Sequence, residues 1–160
     1  MCKRLFGLLL SIISTVSIIC GSVWQCSATV LELPAVSAKA CIVMEATTRE
    51  VFFSQNADEH LPMASTTKIM TTLLCLESGD LDTPFSVDNN AIQVEGSSMG
   101  LVKDDIVTKR ALCYGMLLPS GNDAAGATAV KLAGSLSAFA DLMNERAAQL
   151  GMQNTHFVTP

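Results

Sequence analysis

Apolar and polar positions change texture several times along this chain, and each texture predicts an element. Leu5 to Cys20 is almost wholly apolar, interrupted only by Gly, Ser and Thr. Ala40-Cys41-Ile42-Val43-Met44-Glu45 and Val51-Phe52-Phe53-Ser54-Gln55 are two shorter runs. With Ala46 to Glu50 as the turn between them, they read as an antiparallel hairpin. After a polar stretch, Asn56 to His60, the period becomes helical. Ile69, Met70, Leu73, Leu74 and Leu76 recur at helical spacing, with Gly79 as the stop. Gly79 to Asn90 has no strong period and reads as a loop. Gln93 to Gly100 is rich in Gly and Ser and predicts a tight, exposed excursion.

Helical patterning then dominates. Val107-Thr108 opens a helix with Thr108 as candidate N-cap, ending at Pro119. Pro119-Ser120-Gly121-Asn122 is a break between helices. Asp123 to Leu132 resumes as a helix of small residues (Ala124, Ala125, Ala127, Ala129), which suits burial among other helices. Ser135 or Ser137 caps a last helix, in which Phe139, Leu142, Met143, Ala147 and Leu150 form the apolar face and Gly151 the stop. Gln153 to Pro160 reads as extended.

Composition narrows the class. The chain has 160 residues, enough for one modest domain, and a formal net charge of −5. An acidic balance without a basic cluster argues against nucleic acid as a partner. Met1-Cys2-Lys3-Arg4 is a short positive segment ahead of the first apolar run, and Cys26-Ser27-Ala28 supplies small residues where a signal peptidase reads. Residues 1–28 therefore read as a secretory signal and 29–39 as a linker. An uncleaved membrane anchor is the alternative reading of the same run. Trp24-Gln25 before Cys26 lacks the small residues of a lipoprotein signal. Of the six cysteines, Cys2, Cys20 and Cys26 fall in this segment. Cys41, Cys75 and Cys113 are far apart in apolar contexts and read as free thiols, neither a disulfide framework nor a zinc site. No His/Asp/Glu cluster suggests a metal, and no cofactor is expected. His60, His156, Asp104-Asp105 and Glu95 read as exposed loop or rim residues.

The candidate chemistry begins at Ser65 and Lys68. Positions i and i+3 of a helix share a face, with Cβ atoms roughly 5–6 Å apart. A serine hydroxyl becomes a nucleophile when a neighbouring base takes its proton. Burial suits a lysine to that task because desolvation disfavours the ammonium form. Free N–H groups at the helix start can hold an oxyanion. Alone, Ser-x-x-Lys is weak, since a chain this long contains about one such match by chance. Ser120 and Asn122 are the second constellation: a hydroxyl that can relay a proton and an amide that can donate and accept, both in a non-helical turn.

Ser-x-x-Lys followed by Ser-x-Asn is the order found in penicillin-recognising serine enzymes. Ala64-Ser65-Thr66-Thr67-Lys68-Ile69-Met70-Thr71, Glu95 to Leu101, Tyr114 to Ala125 and Leu150 to Phe157 together resemble the D-alanyl-D-alanine carboxypeptidases, the low-molecular-mass penicillin-binding proteins. The resemblance runs from about Ala38 to Pro160. It implies an α/β, β-lactamase/transpeptidase-like fold, seen here as a helical cluster with an N-terminal antiparallel hairpin, and makes 40–160 the N-terminal portion of the catalytic domain. It implies that Ser65 attacks the carbonyl between the terminal D-alanines of a peptidoglycan stem peptide, and that Lys68 takes its proton. Ser120 would relay a proton to the leaving D-alanine, Asn122 would bind the substrate peptide, and the Ser65 N–H would form half of the oxyanion hole. β-Lactams would acylate Ser65.

Two departures stand out. The family's third motif, Lys-Thr-Gly, is absent, so most of the sheet is expected to be missing and the chain as given to be inactive, a truncated form. Membrane association would then come from an uncleaved signal or from an absent C-terminal anchor. In the hairpin turn, Arg49 stands where the family commonly has Gly, which predicts a weaker turn. Two other readings remain: a serine β-lactamase, a class that commonly shows Ser-Asp-Asn where this chain has Ser120-Gly121-Asn122, and a non-catalytic cell-envelope fragment.

Overall fold

A computed structural model of the protein describes residues 35–160. The expected signal, 1–28, and the start of the linker lie outside the described residues. Contacts divide the chain into two units, Met1–Glu59 and His60–Pro160. Among the described residues, no helix is long and apolar enough to cross a membrane.

The first unit holds the hairpin. Strand β1, Cys41–Met44, pairs antiparallel with β2, Val51–Gln55, in the register Cys41↔Gln55, Ile42↔Ser54, Val43↔Phe53 and Met44↔Val51, with an irregularity between Val43 and Met44. Glu45 organises the turn. Its N–H donates to the Glu50 carbonyl (2.9 Å), and its carboxylate accepts from the N–H groups of Thr47 (2.8 Å) and Thr48. Arg49 sits at φ 61, in the left-handed region that costs a residue with a Cβ about 1–2 kcal/mol. The expected penalty for Arg in place of Gly is thus visible in the backbone.

The second unit is helical. A 3-10 turn, Ala64–Thr66, leads into α1, Thr67–Glu77. Two two-residue strands follow, β3 (Phe85–Ser86) and β4 (Ile106–Val107), paired antiparallel. Then come α2 (Lys109–Leu117), α3 (Asn122–Ala133) and α4 (Leu136–Gln149). The caps match their residues: Thr108 and Ser135 accept from the N–H groups of Ala111 and Ala138, both at 3.1 Å. Gly134 ends α3 at φ 78.

Helix α3 is the centre of this unit, buried from Asp123 through Ala129. Its small side chains admit close neighbours on both flanks. On one, Cys75, Val87, Leu112, Cys113 and Met116 pack against Ala124, Ala125 and Ala127. On the other, Met70, Phe139, Met143, Ala147 and Phe157 pack around Ala129.

Two faces differ from the sequence reading. In α1 the buried residues are Lys68, Met70, Thr71, Thr72 and Cys75, so Met70 faces inward as its spacing predicts, while Ile69 and Leu76 are 63% and 48% exposed. In α4, Leu142 and Leu150 are exposed and Ala140 takes their place beside Phe139, Met143 and Ala147.

Candidate active site

Ser65 occupies the middle of the 3-10 turn, and its approach is strained: Ala64 has φ 47. Thr66 holds the turn closed, its N–H (3.2 Å) and hydroxyl (2.6 Å) both donating to the Met63 carbonyl. Ser65 is left exposed at the mouth of α1, one helical turn before Lys68. Lys68, in contrast, is only 5% exposed. Its Nζ lies 3.4 Å from Ser65 Oγ and 2.7 Å from Asn122 Oδ1. The expected meeting of the two side chains is present, and Asn122, 54 positions downstream of the lysine, completes it.

Burial pushes the Lys68 amine below its ordinary value, since water no longer solvates the cation and both of its hydrogen-bond partners are neutral. In the ammonium form Nζ donates to both. In the neutral form one N–H continues to serve Asn122 Oδ1, and the lone pair is free to accept the Ser65 proton. The amide therefore aims the base.

Asn122 is itself held from two sides. Its Nδ2 donates to the Glu95 carbonyl (2.7 Å), and its backbone N–H donates to the Ser97 carbonyl (2.8 Å). Rotating the amide by half a turn would forfeit the bonds at both Oδ1 and Nδ2. Glu95, expected at a rim, does expose its side chain, but its carbonyl is part of the site. Ser120 lies in the break before α3 at φ 60, with its Oγ buried and without a partner among the described residues. The structure thus joins Ser65, Lys68 and Asn122 by hydrogen bonds and places Ser120 in the adjoining turn, unbonded to the other three.

Sequence reasoning missed Asp123. It is 1% exposed, and its carboxylate accepts from Ser98 Oγ (2.6 Å) and from the N–H groups of Met99 (2.9 Å), Gly100 (3.0 Å), Leu101 (2.9 Å) and Ala124 (2.9 Å). Burial alone would raise its pKa, but the bonds from Ser98, Leu101, Met99 and Ala124 outweigh that and hold the carboxyl below its ordinary value. These bonds tie the Gly96–Leu101 loop to the start of α3. Glycines make the space. A Cβ on Gly121 would lie 2.7 Å from Asp123 Oδ1 and 2.9 Å from both the Gly115 carbonyl and the Met99 nitrogen, and one on Gly115 would lie 2.2 Å from Met99 Sδ. The available signal was Asp directly after Asn at a helix start, which ordinarily reads only as a favourable first-turn charge.

His60 and His156 are exposed, as expected of loop histidines. Among the described residues no group of three or more His, Cys, Asp or Glu side chains could hold a metal ion.

The sequence profile described as D-alanyl-D-alanine carboxypeptidase matches residues 27–160. The chain belongs to that family. Among curated members, it is 34% identical over 128 residues to D-alanyl-D-alanine carboxypeptidase DacF of Bacillus subtilis, covering 77% of this chain and 33% of the relative. To a D-alanyl-D-alanine carboxypeptidase of Streptomyces sp. it is 33% identical over 149 residues, covering 86% of this chain and 51% of the relative. Solved structures agree. A D-alanyl-D-alanine carboxypeptidase from Mycobacterium tuberculosis superposes with a TM-score of 0.76 at 32% identity, over 83% of this chain and 50% of that one. DacD from Francisella tularensis does so with a TM-score of 0.73 at 37% identity, over 79% and 32%. The fold is accordingly the expected transpeptidase-like one. The chain spans about a third to a half of the length of these relatives.

Proposed function

We propose that the protein is a serine-type D-Ala-D-Ala carboxypeptidase that removes the terminal D-alanine of peptidoglycan stem peptides and is acylated by β-lactams at Ser65. The observation that carries this is the buried Lys68 amine set between Ser65 Oγ at 3.4 Å and Asn122 Oδ1 at 2.7 Å. Ser65 Oγ attacks the carbonyl carbon of the penultimate D-alanine while its proton passes to neutral Lys68. The oxyanion takes hydrogen bonds that include the Ser65 N–H at the helix start. Ser120 relays a proton to the nitrogen of the departing D-alanine, the C–N bond breaks, and the ester on Ser65 is hydrolysed. Asn122 retains one N–H and one lone pair for the substrate peptide while it holds Lys68.

The site of action in this reading is the extracytoplasmic face of the membrane and the cell wall, where the substrate lies and to which the 1–28 signal would direct the chain; there the enzyme would contribute to cell shape. Gly121 favours the carboxypeptidase over the β-lactamase reading: an Asp at that position would drive its Cβ into Asp123, the Gly115 carbonyl and Met99. The test is labelling with a fluorescent penicillin, followed by peptide mapping. It uses the chain as given and the chain fused to the C-terminal half of the Streptomyces sp. relative. The fused form is expected to carry a long-lived adduct on Ser65, lost in Ser65→Ala and Lys68→Met. A label elsewhere, or rapid turnover without an adduct, contradicts the proposal.

A further inference from the structure

Asp123 takes no part in the proton transfers above, yet it is a buried carboxylate beside a reacting constellation. Its bonds reach three consecutive backbone N–H groups, Met99 to Leu101, and the Ser98 hydroxyl. The same loop, at Glu95 and Ser97, supplies the two carbonyls that hold the Asn122 side chain and backbone. Gly96, between those two, sits at φ 90, and a Cβ there would lie 3.0 Å from Asn122 Nδ2. A loop with these glycines has little stiffness of its own. Beside the packing of Met99 and Leu101 on the core, what ties its backbone down from Met99 to Leu101 is the carboxylate.

We propose that Asp123 is a positioning residue: by clamping the Gly96–Leu101 loop it fixes the Glu95 carbonyl, which orients the Asn122 amide, which in turn aims the Lys68 amine at Ser65. This rests on the reading of Ser65, Lys68 and Asn122 as the reacting groups, but the linkage itself can be tested without activity. Asp123 is suited to the clamp because an ionised carboxylate accepts at both oxygens and satisfies several donors at once, whereas an asparagine would turn an NH2 group toward N–H groups. The linkage also accounts for Gly121, since its missing Cβ lets the loop, the carboxylate and the end of α2 meet.

The experiment is hydrogen exchange by NMR on the full chain and on Asp123→Asn, following the Met99, Gly100 and Leu101 amides and the side-chain amide of Asn122. Phe139 and Met143 of α4 serve as controls. Asp123→Asn is expected to speed exchange of the three loop amides about tenfold or more and to collapse the separate Asn122 side-chain signals toward free-amide shifts, with the α4 controls unchanged. A merely structural role would move loop and controls together and leave the Asn122 signature in place. That result, or no change at either, overturns the proposal. If Asp123→Asn does not fold, Ser98→Ala decides instead: it removes one donor and leaves the carboxylate, and must loosen both the loop and Asn122. Labelling by penicillin is a separate readout. If the wild type never acylates, the function reading fails while the exchange result still stands or falls by itself.

Discussion

Replacing Gly121 by Ala adds one methyl group where the loop, Asp123 and the end of α2 converge. Its backbone, φ −62 and ψ 118, is open to any L-residue, so the substitution strains nothing locally. The cost is contact: Asp123 Oδ1 at 2.7 Å, the Gly115 carbonyl at 2.9 Å and the Met99 nitrogen at 2.9 Å. Two of the three atoms are backbone, and the third belongs to a carboxylate held by its own bonds, so no flexible tip can swing aside. Overpacking of this kind costs about 1–3 kcal/mol. Lower entropy of the unfolded chain returns about 0.4–1 kcal/mol. A net destabilisation of roughly 1–2 kcal/mol follows, and for a helical unit of this size that lowers Tm by about 4–15 °C. Gly134→Ala is the control. It meets nothing within 4 Å and has φ 78, so it reports only the left-handed penalty. Thermal unfolding of the two variants, together with Met99 amide exchange, separates the effects: Gly121→Ala must loosen Met99 and Gly134→Ala must not. A Gly121→Ala protein within about 0.5 kcal/mol of wild type, with Met99 still protected, refutes the packing argument.

Much of this arrangement was legible because its causes are local. The hairpin follows from two apolar runs and a turn. The helix ends follow from Gly79, Thr108, Ser135 and Gly151, whose capping chemistry acts over a few residues. Ser65 and Lys68 meet because helical spacing alone brings them together. What was hidden depends on contacts distant in sequence. Asp123 binds residues 22 to 25 positions upstream, through the Ser98 hydroxyl and three backbone N–H groups, and the latter carry no sequence signal. Strands β3 and β4, two residues each, are too short for any periodicity to show. On α1 the spacing found Met70, Leu73 and Leu74, which pack inward, but not Thr71 and Thr72, which are buried while Ile69 and Leu76 are exposed.

Arg49→Gly is expected to stabilise the hairpin by about 1 kcal/mol by relieving a left-handed φ, read as slower amide exchange in β1 and β2; no change or faster exchange contradicts this. Lys68→Met should flatten the pH dependence of stability. The folded-state pKa of Lys68 lies below its unfolded value, so the unfolded chain holds the extra proton between the two and wild-type stability rises with pH across that window, up to about pH 10.5. Denaturant titrations at pH 7 and 10 measure it, and an unchanged slope for Lys68→Met contradicts it. Burial, with Cys113 beside it, pushes the Cys75 thiol up to about 12. A thiol reagent at pH 8 is therefore expected to modify the half-buried Cys41 in the folded protein and to leave Cys75 unmodified until unfolding.

The account depends on Lys68 being able to lose its proton while buried beside Ser65. Titration of the Lys68 side chain by NMR, with carbon-labelled lysine and Lys68→Arg for assignment, measures this directly. A midpoint clearly below 10.5 is the predicted result. A Lys68 midpoint at or above that value would leave an ammonium facing the serine, and the proposed base would not be one.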